Sequence, residues 1–154
     1  METKGLLFRV MFCLMIAGVS FTASEEMTYL ARIEVSIPEE IDRIAEMQIP
    51  VFKTMKTYVL VEVADESFKL LAERGFRCQI VDENPREHQY FLVFLRDKTS
   101  PEMIREYGEP LFTEGRMALM KISVDQALEL KLEGLESLRI PKAPFLLRKG
   151  AYVQ

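Results

Sequence analysis

The chain contains few of the residues from which catalytic sites are usually built. Its 154 residues include one histidine, two cysteines, one asparagine and no tryptophan. One histidine cannot supply the histidine pairs found in most zinc sites, and no His, Cys, Asp or Glu residues are spaced as metal ligands. A Ser–His–Asp or Cys–His set would depend on that histidine alone. We therefore predict no catalytic residues, no metal ion and no cofactor.

Phosphate chemistry is also poorly supported. The chain lacks a Gly-rich phosphate-binding loop. The only asparagine, Asn84, and the only histidine, His88, lie in the polar segment Asp82–His88, whose composition and proline are typical of a linker. We expect His88 to be a solvated loop side chain. A ferredoxin-like acylphosphatase would need an asparagine that positions water, and Asn84 in a linker does not suit that role.

The N-terminal segment has the layout of a secretory signal peptide. Lys4 and Arg9 come first, the apolar run Val10–Phe21 follows, and small residues come next. A bilayer span needs about 20 apolar residues, so this run is too short to cross a membrane. We predict cleavage after Ser24, which removes residues 1–24 and gives an exported protein, periplasmic or secreted. An uncleaved membrane anchor is the alternative interpretation.

The mature chain is predicted to be acidic and to carry one thiol. Removal of the signal peptide makes the formal net charge of −4 one unit more negative. An acidic surface is a poor match for nucleic acid or anionic lipid, so we predict no nucleic-acid partner and no stable membrane insertion. Cys78 then has no disulfide partner. Because it alternates with Phe76 and Ile80, we expect it to be a buried, unreactive strand residue.

The first half of the mature chain alternates between strand and helix patterns. Apolar residues recur at every second position over 29–37, which predicts a half-buried strand. A helix capped by Ser36 and Glu39 follows, then two strands around the turn "KTMK". Asp65 is expected to cap a second helix, which Gly75 ends before a closing strand. The predicted inward helix residues are Ile41, Ile44, Ala45, Phe68, Leu71 and Ala72.

The second half repeats this order at an offset near sixty residues. The apolar run "QYFLVFL" predicts a strand in the middle of a sheet. Ser100 is expected to cap a short helix, Gly115 suits a turn between two strands, and Ser123 with Gln126 forms a capping box. At an offset of sixty, the aligned pairs are Phe52 with Phe112, Leu60 with Met120, Asp65 with Asp125, Leu70 with Leu130 and Ile80 with Ile140.

The repetition predicts an α+β fold of two tandem ferredoxin-like modules. Each is a βαββαβ unit with a four-stranded antiparallel sheet and two helices. We place the modules at residues 28–82 and 89–141, joined by a linker at 83–88 and followed by a tail at 142–154. Modules of this size are marginally stable alone, so we expect them to pack together through sheet edges or sheet faces.

Both halves resemble parts of exported peptidases. The run "YLARIEVSIPEEIDRIAEM", with the strand "YVLVEV" and the helix end "LLAERGF", is similar to a module near the N-terminus of exported bacterial metallopeptidases. The runs "GEPLFTEGRMALMKI" and "LRIPKAP" resemble the segment before the catalytic domain of exported family-28 metallopeptidases, the dizinc aminopeptidase group. The likeness covers about residues 28–146. It implies a non-catalytic accessory module, because the zinc ligands of that family have no counterpart here.

The tail "PKAPFLLRKGAYVQ" has three possible roles. It suits a linker to a further domain, an extended peptide that docks on a partner's cleft or sheet edge, or a frayed terminus. In the docking interpretation, the candidate partner-binding residues are Phe145, Leu146, Leu147 and Arg148.

Two functions from different classes follow from these observations. The first is a non-catalytic, propeptide-like interaction module whose partner is a protein, such as a peptidase domain in the same chain or in another. The second is a freestanding sensor that binds a small ligand between paired ferredoxin-like modules. A peptidase acting on its own is a third, which the missing catalytic set argues against.

Overall fold

The computed structural model describes residues 26–150, which fold into two antiparallel sheets and four helices. The predicted signal peptide lies outside these residues. What we call the first unit contains β1 (Thr28–Glu34), α1 (Pro38–Glu46), β2 (Pro50–Thr54), β3 (Tyr58–Ala64), α2 (Asp65–Glu73) and β4 (Cys78–Asp82). The second unit contains β5 (Tyr90–Phe94), α3 (Pro101–Ile104), β6 (Glu109–Glu114), β7 (Met117–Lys121), α4 (Val124–Leu132) and β8 (Glu136–Arg139). A two-residue strand, β9 (Phe145–Leu146), lies in the tail.

The two sheets share one strand order. The first sheet runs β4-β1-β3-β2-β9 and the second runs β6-β7-β5-β8. When strands are numbered within their own unit, both sheets have the order 4-1-3-2, and β9 extends the first sheet beyond β2. All neighbouring strands are antiparallel. The apolar strand β5 lies inside its sheet, as its unbroken apolar run predicts.

The units also share a bulge. The β2–β3 pairing shifts between Val51 and Lys53, and the β6–β7 pairing shifts between Pro110 and Phe112. Corresponding residues here are 59 positions apart, because Lys53 pairs with Leu60 and Phe112 pairs with Leu119. A bulge inserts one extra residue and bends its strand. The repetition therefore extends to an irregular feature of the backbone.

The five residue pairs aligned at an offset of sixty are therefore one residue out of register. Leu60 packs in the layer between the two sheets, whereas Met120 packs in the core beneath the helices. Leu70 is 40% exposed, whereas Leu130 is completely buried. A shift of one residue reverses the direction of every side chain in a strand, so an offset near sixty identifies the repeat without giving its register.

Three apolar layers hold the fold together. The helices of each unit cover one face of its own sheet, and the remaining two faces pack against each other. The predicted packing of the units is thus through sheet faces. Among the predicted inward helix residues, Ala72 is exposed and the others are buried or partly buried. The buried residues between the sheets are Leu30, Phe52, Tyr58, Leu60, Tyr90, Leu92, Leu119 and Ile140.

Strand β1 shows the consequence of this packing. Its odd-numbered residues were predicted to face a core, and Ala31 and Ile33 do so with no exposed surface. Leu30 on the opposite face is also completely buried, because the second sheet covers it. The prediction of a half-buried strand was therefore wrong. Ile37, at the end of the same alternation, is 53% exposed.

Arg32 joins the two sheets on the face it shares with Leu30. Its Nη2 donates to a carboxylate oxygen of Glu114 at 2.7 Å. The guanidinium also lies 5.1 Å from the ring centroid of Tyr58 and 4.9 Å from that of Phe112. Attraction between a cation and two ring faces adds to the ion pair where water is partly excluded.

Two of the predicted helix caps are confirmed. The Ser100 hydroxyl accepts a hydrogen bond from the Met103 N–H at 3.4 Å. The Ser123 hydroxyl accepts one from the Gln126 N–H at 3.2 Å, and the Gln126 side chain accepts one from the Ser123 N–H at 2.8 Å. The second arrangement is a complete capping box.

The caps predicted for α1 and α2 were wrong. At α1, the carboxylate of Glu40, rather than Glu39, accepts the backbone N–H of Ser36 at 2.6 Å. At α2, Ala64 is the N-cap residue and Asp65 is the first helical residue. An acidic residue is favourable in the first turn because of the helix dipole, so Asp65 still suits its position.

Candidate functional site

A cleft of about 240 Å³ opens where the two units meet, and we call it the junction cleft. It lies beside the linker, the start of β5 and the start of the tail. Segments distant in sequence therefore build one concave surface. The lining residues are Phe52, Glu62, Pro85, Arg86, His88, Gln89, Tyr90, Ile140, Pro141, Lys142 and Pro144.

Asp82 anchors the polar side of the cleft. It ends β4 and is the one charged residue among residues 26–150 that is buried, with 8% of its surface exposed. Its Oδ2 accepts hydrogen bonds from the Tyr90 hydroxyl at 2.7 Å and from His88 Nδ1 at 2.6 Å. Its Oδ1 accepts the Asn84 N–H at 3.1 Å. A buried carboxylate needs such partners to offset its loss of water.

These contacts determine how Asp82 and Tyr90 titrate. Burial alone would raise the pKa of Asp82, but the hydrogen bonds from Tyr90, the Asn84 N–H and His88 together outweigh it, so the pKa lies below its ordinary value. Burial and the bond to Asp82 both raise the pKa of Tyr90 far above that of a free phenol. The Tyr90 phenol therefore stays protonated and acts as a donor to an ionised carboxylate.

His88 is not the solvated loop residue that its polar neighbours suggest. Its side chain is 30% exposed and bonded to Asp82. Because an ionised carboxylate only accepts, Nδ1 carries the shared hydrogen. The other ring nitrogen, Nε2, makes no hydrogen bond within the described residues.

A second polar pair borders the cleft. The carboxylate of Glu62 accepts a hydrogen bond from the Thr28 hydroxyl at 2.7 Å and one from Arg86 Nε at 3.1 Å. The Arg86 side chain is 63% exposed, so most of its guanidinium faces solvent. Lys142 on the tail side is exposed and makes no ion pair with any residue from 26 to 150. The rim of the cleft therefore carries two exposed cations, Arg86 bonded to Glu62 and Lys142 without an ion pair in the described residues.

The remaining surface of the cleft is mainly apolar. Phe52 and Ile140 belong to the buried layer between the sheets, and Pro85 is buried in the linker. The side-chain oxygen of Gln89 is buried and has no hydrogen-bond partner within the described part of the chain. Such an acceptor can be satisfied by a donor on a ligand or by water. The arrangement combines an apolar wall, an unpaired acceptor and cations at the opening.

The tail forms one side of the cleft and then joins the first sheet. Strand β9 pairs with β2, with Val51 opposite Phe145 and Pro50 opposite Leu146. Leu147 inserts into the core of the first unit and is 7% exposed. After it, Lys149 Nζ contacts the Glu46 carboxylate at 2.7 Å. Residues 145–149 therefore lie along the first unit.

The four residues predicted to contact a partner occupy different environments. Phe145 and Leu146 are 46% and 52% exposed, and Arg148 is also exposed. Leu147 is buried within this chain, which leaves little of its side chain for another protein. Phe145, Leu146 and Arg148 stay available for the predicted contact.

The cleft offers few groups other than those already bonded to one another. The one hydroxyl on its surface belongs to Tyr90, which donates to Asp82. Across residues 26–150, no three or more His, Cys, Asp and Glu side chains are placed to hold a metal ion. No helix in the same range is long and apolar enough to cross a membrane.

The search for similar proteins found none. No protein-family model, no curated protein and no solved structure matches this chain.

The hydrogen-bonded set of Asp82, His88 and Tyr90 could not be identified in the sequence as a site. The polar composition of the linker indicated solvation, and the local spacing of these residues matches no known motif. The linker lies over the junction, and its buried Pro85 and half-buried His88 turn inward there. The one available signal was that Asp82 directly follows a predicted strand and begins a short connection.

Proposed function

We propose that this chain is a non-catalytic, exported accessory module that binds an extended peptide segment at the junction cleft. The observation that carries the proposal is the composition of that cleft: an apolar wall, a polar side whose groups are bonded to one another, and a rim where Lys142 makes no ion pair within residues 26–150. The resemblance to the region before the catalytic domain of family-28 metallopeptidases supports a role beside a peptidase, in the same chain or in another.

The fold we propose for each unit is ferredoxin-like. The order βαββαβ, the 4-1-3-2 strand order and the antiparallel pairing support this assignment. In this chain the sheet faces cover each other, which leaves edges, helices and the junction cleft for partners.

Binding is favoured over catalysis because the polar groups of the cleft stabilise one another. Asp82 accepts from three donors, and Glu62 accepts from two. A catalytic hydroxyl or thiol would have to lie within hydrogen-bond reach of a base such as His88. The neighbours of His88 in the cleft supply only the protonated phenol of Tyr90.

The size of the cleft favours one side chain of a peptide over a complete small ligand. Small-molecule sites usually have volumes of about 300 to 1,000 Å³. The junction cleft has about 240 Å³ and is bounded by Phe52, Ile140 and prolines. A single Phe or Leu side chain suits such a space. The peptide backbone would then lie along the rim, where the exposed Lys142 can donate a hydrogen bond to a backbone carbonyl.

Peptide binding is tested with short labelled peptides and the full chain. Acetylated and amidated pentapeptides with Phe, Leu or Asp between paired glycines are titrated by fluorescence anisotropy. We expect the Phe and Leu peptides to bind and the Asp peptide to fail. Lys142→Gln should weaken binding, whereas Lys98→Gln serves as the matched control, because Lys98 is also exposed and makes no ion pair within residues 26–150. Equal binding of all three peptides, or none, contradicts the proposal.

A small-ligand sensor is the second candidate function. The position of the cleft between two units favours it, since paired ferredoxin-like sensors bind ligands at such junctions. A thermal-shift screen of amino acids and other small metabolites separates the candidates. A ligand that raises Tm and also displaces the Phe peptide would favour the sensor.

Export and lack of catalysis are tested separately. Expression of the full chain with cell fractionation and N-terminal sequencing should give a periplasmic or secreted protein that begins at Glu25, after cleavage behind Ser24. Purified protein with added zinc should not hydrolyse aminopeptidase substrates. Zinc-dependent turnover that purifies with the chain would overturn the non-catalytic assignment.

A further inference from the structure

Helix α4 carries an apolar row on its solvent side. Its inner side packs into the core of the second unit through Ala127 and Leu130. Val124, Leu128 and Leu132, each four residues apart, are nevertheless 42%, 54% and 87% exposed. We call these three residues the α4 row. Residues four apart on a helix lie above one another, so the three side chains form one continuous stripe about 12 Å long.

An acidic row borders this stripe. Asp125, Glu129 and Glu133 are also four residues apart, and each follows a member of the α4 row by one position. All three are exposed, and none forms an ion pair within residues 26–150. One cation, Lys131, lies along the opposite border of the stripe, between it and the buried side. The border of the α4 row is therefore predominantly negative.

We propose that the α4 row is the docking surface for an amphipathic helix of another protein, with Leu-type residues on its apolar side and Lys or Arg along the edge. Ridges formed by every fourth residue pack into the grooves of a second helix in the commonest class of helix packing. Proteins usually recognise an amphipathic helix through its apolar face, which packs against an apolar surface of the partner. The acidic row supplies the charge complementarity that selects a basic edge.

This surface is separate from the junction cleft. None of the six residues in the two rows lines the cleft. If a second copy of this chain packed antiparallel through the same stripe, the two acidic rows would lie on the same side of the contact and repel each other, which opposes self-association. An anionic lipid surface is disfavoured by the same charges.

The test uses a labelled 14-residue helical peptide built from Leu, Ala and Lys, and a second peptide in which Glu replaces Lys. Fluorescence anisotropy with the full chain should show binding of the Lys peptide that weakens as salt rises, and at least about tenfold weaker binding of the Glu peptide. Leu128→Gln with Leu132→Gln should reduce affinity for the Lys peptide at least about tenfold. Leu70→Gln on α2, also a partly exposed leucine, should have no such effect.

The charge contribution has its own matched pair of variants. Neutralising the acidic row as Asp125→Asn, Glu129→Gln and Glu133→Gln should remove most of the salt dependence. Neutralising Glu39, Glu66 and Glu73 as glutamines changes the net charge by the same amount and should leave the binding unchanged. Those three are exposed and make no ion pair within the described residues.

Three results would overturn the proposal. Equal binding of the Lys and Glu peptides would remove the charge complementarity. Unchanged binding after Leu128→Gln and Leu132→Gln would place the contact elsewhere. Sedimentation that shows a dimer disrupted by the same two substitutions would assign the α4 row to a second copy of this chain. Circular dichroism of each variant confirms that a loss of binding is not a loss of folding.

Discussion

The hydroxyl of Tyr90 donates a 2.7 Å hydrogen bond to the carboxylate of Asp82 across the boundary between the two units. Asp82 is the last residue of β4, and Tyr90 is the first residue of β5. The bond therefore fixes the end of one sheet against the start of the other. His88, the last residue of the linker, bonds to the same carboxylate oxygen. The linker therefore begins and ends beside Asp82.

Removal of the Tyr90 hydroxyl should destabilise the protein. Tyr90→Phe leaves a buried carboxylate with one donor fewer, and we expect the free energy of unfolding to fall by about 1 to 3 kcal/mol. Urea denaturation at pH 7 measures this change. Tyr29→Phe is the control, because the Tyr29 hydroxyl makes no hydrogen bond within the described residues and should change stability by less than about 0.5 kcal/mol. Equal effects would contradict the assigned role of Tyr90.

The stabilising effect of Asp82 should depend on pH. Its pKa is lowered in the folded state, so the contribution to stability is present above the unfolded pKa of about 4 and is lost as the pH falls below it. The difference in unfolding free energy between the native chain and Asp82→Asn should therefore be large at pH 7 and should shrink progressively as the pH falls below about 4. Glu83→Gln, at an exposed neighbouring position, should give no comparable trend. A difference that stays constant with pH would refute this assignment.

Two adjacent leucines test whether the tail is part of the fold. Leu147 is 7% exposed in the core of the first unit, whereas Leu146 is 52% exposed. We expect Leu147→Ala to lower the free energy of unfolding by about 2 kcal/mol or more, the range for buried leucines. Leu146→Ala should cost less than about 0.5 kcal/mol. If both substitutions have small effects, the tail is not docked as described.

Cys78 lies in β4 as predicted, but it is partly buried rather than buried, and its thiol should still react slowly in the folded protein. Burial raises the pKa of its thiol to about 11, which leaves little thiolate at pH 8. We expect modification by a chromogenic disulfide reagent to be about a hundredfold slower in the folded chain than in guanidinium. The measurement uses a Cys13→Ser chain so that one thiol is observed. Fast modification of the folded protein would mean that the Cys78 side chain is accessible.

Much of the fold could be predicted from local patterns. The alternation in β1, the apolar run of β5 and the glycines that end α2 and α4 mark elements that the structure contains. Their order gave the βαββαβ arrangement of each half. Local patterns could not give the register of the repeat, because a bulge in each hairpin and the face-to-face packing decide which residues correspond.

The junction cleft could not be predicted in the same way. A run such as Asp82–His88 is solvated in most proteins, but here Asp82 and Pro85 are buried and His88 is partly buried, while the other residues of the run are exposed. The direction of a linker side chain depends on the packing around it, which no local spacing records. The position of the tail could not be predicted either. Its apolar residues suited a binding segment as one of three roles, but the sequence did not show that Leu147 packs in the core of the first unit.

The exposed α4 row has a related cause. The sequence predicts α4 from its capping box and apolar content, but Leu128 and Leu132 could equally have been core residues. Only the position of the helix on the sheet shows that Ala127 and Leu130 fill the core and leave the others outside.

The most direct test of the account is an amide chemical-shift titration of the ¹⁵N-labelled chain with the pentapeptide that carries Phe between paired glycines. Peptide binding at the junction cleft predicts saturable shifts at the amides of Gln89, Tyr90 and Lys142, little change elsewhere and no shifts with the Asp peptide. Shifts confined to another surface, equal responses to both peptides or hydrolysis of the peptide during the titration would contradict it.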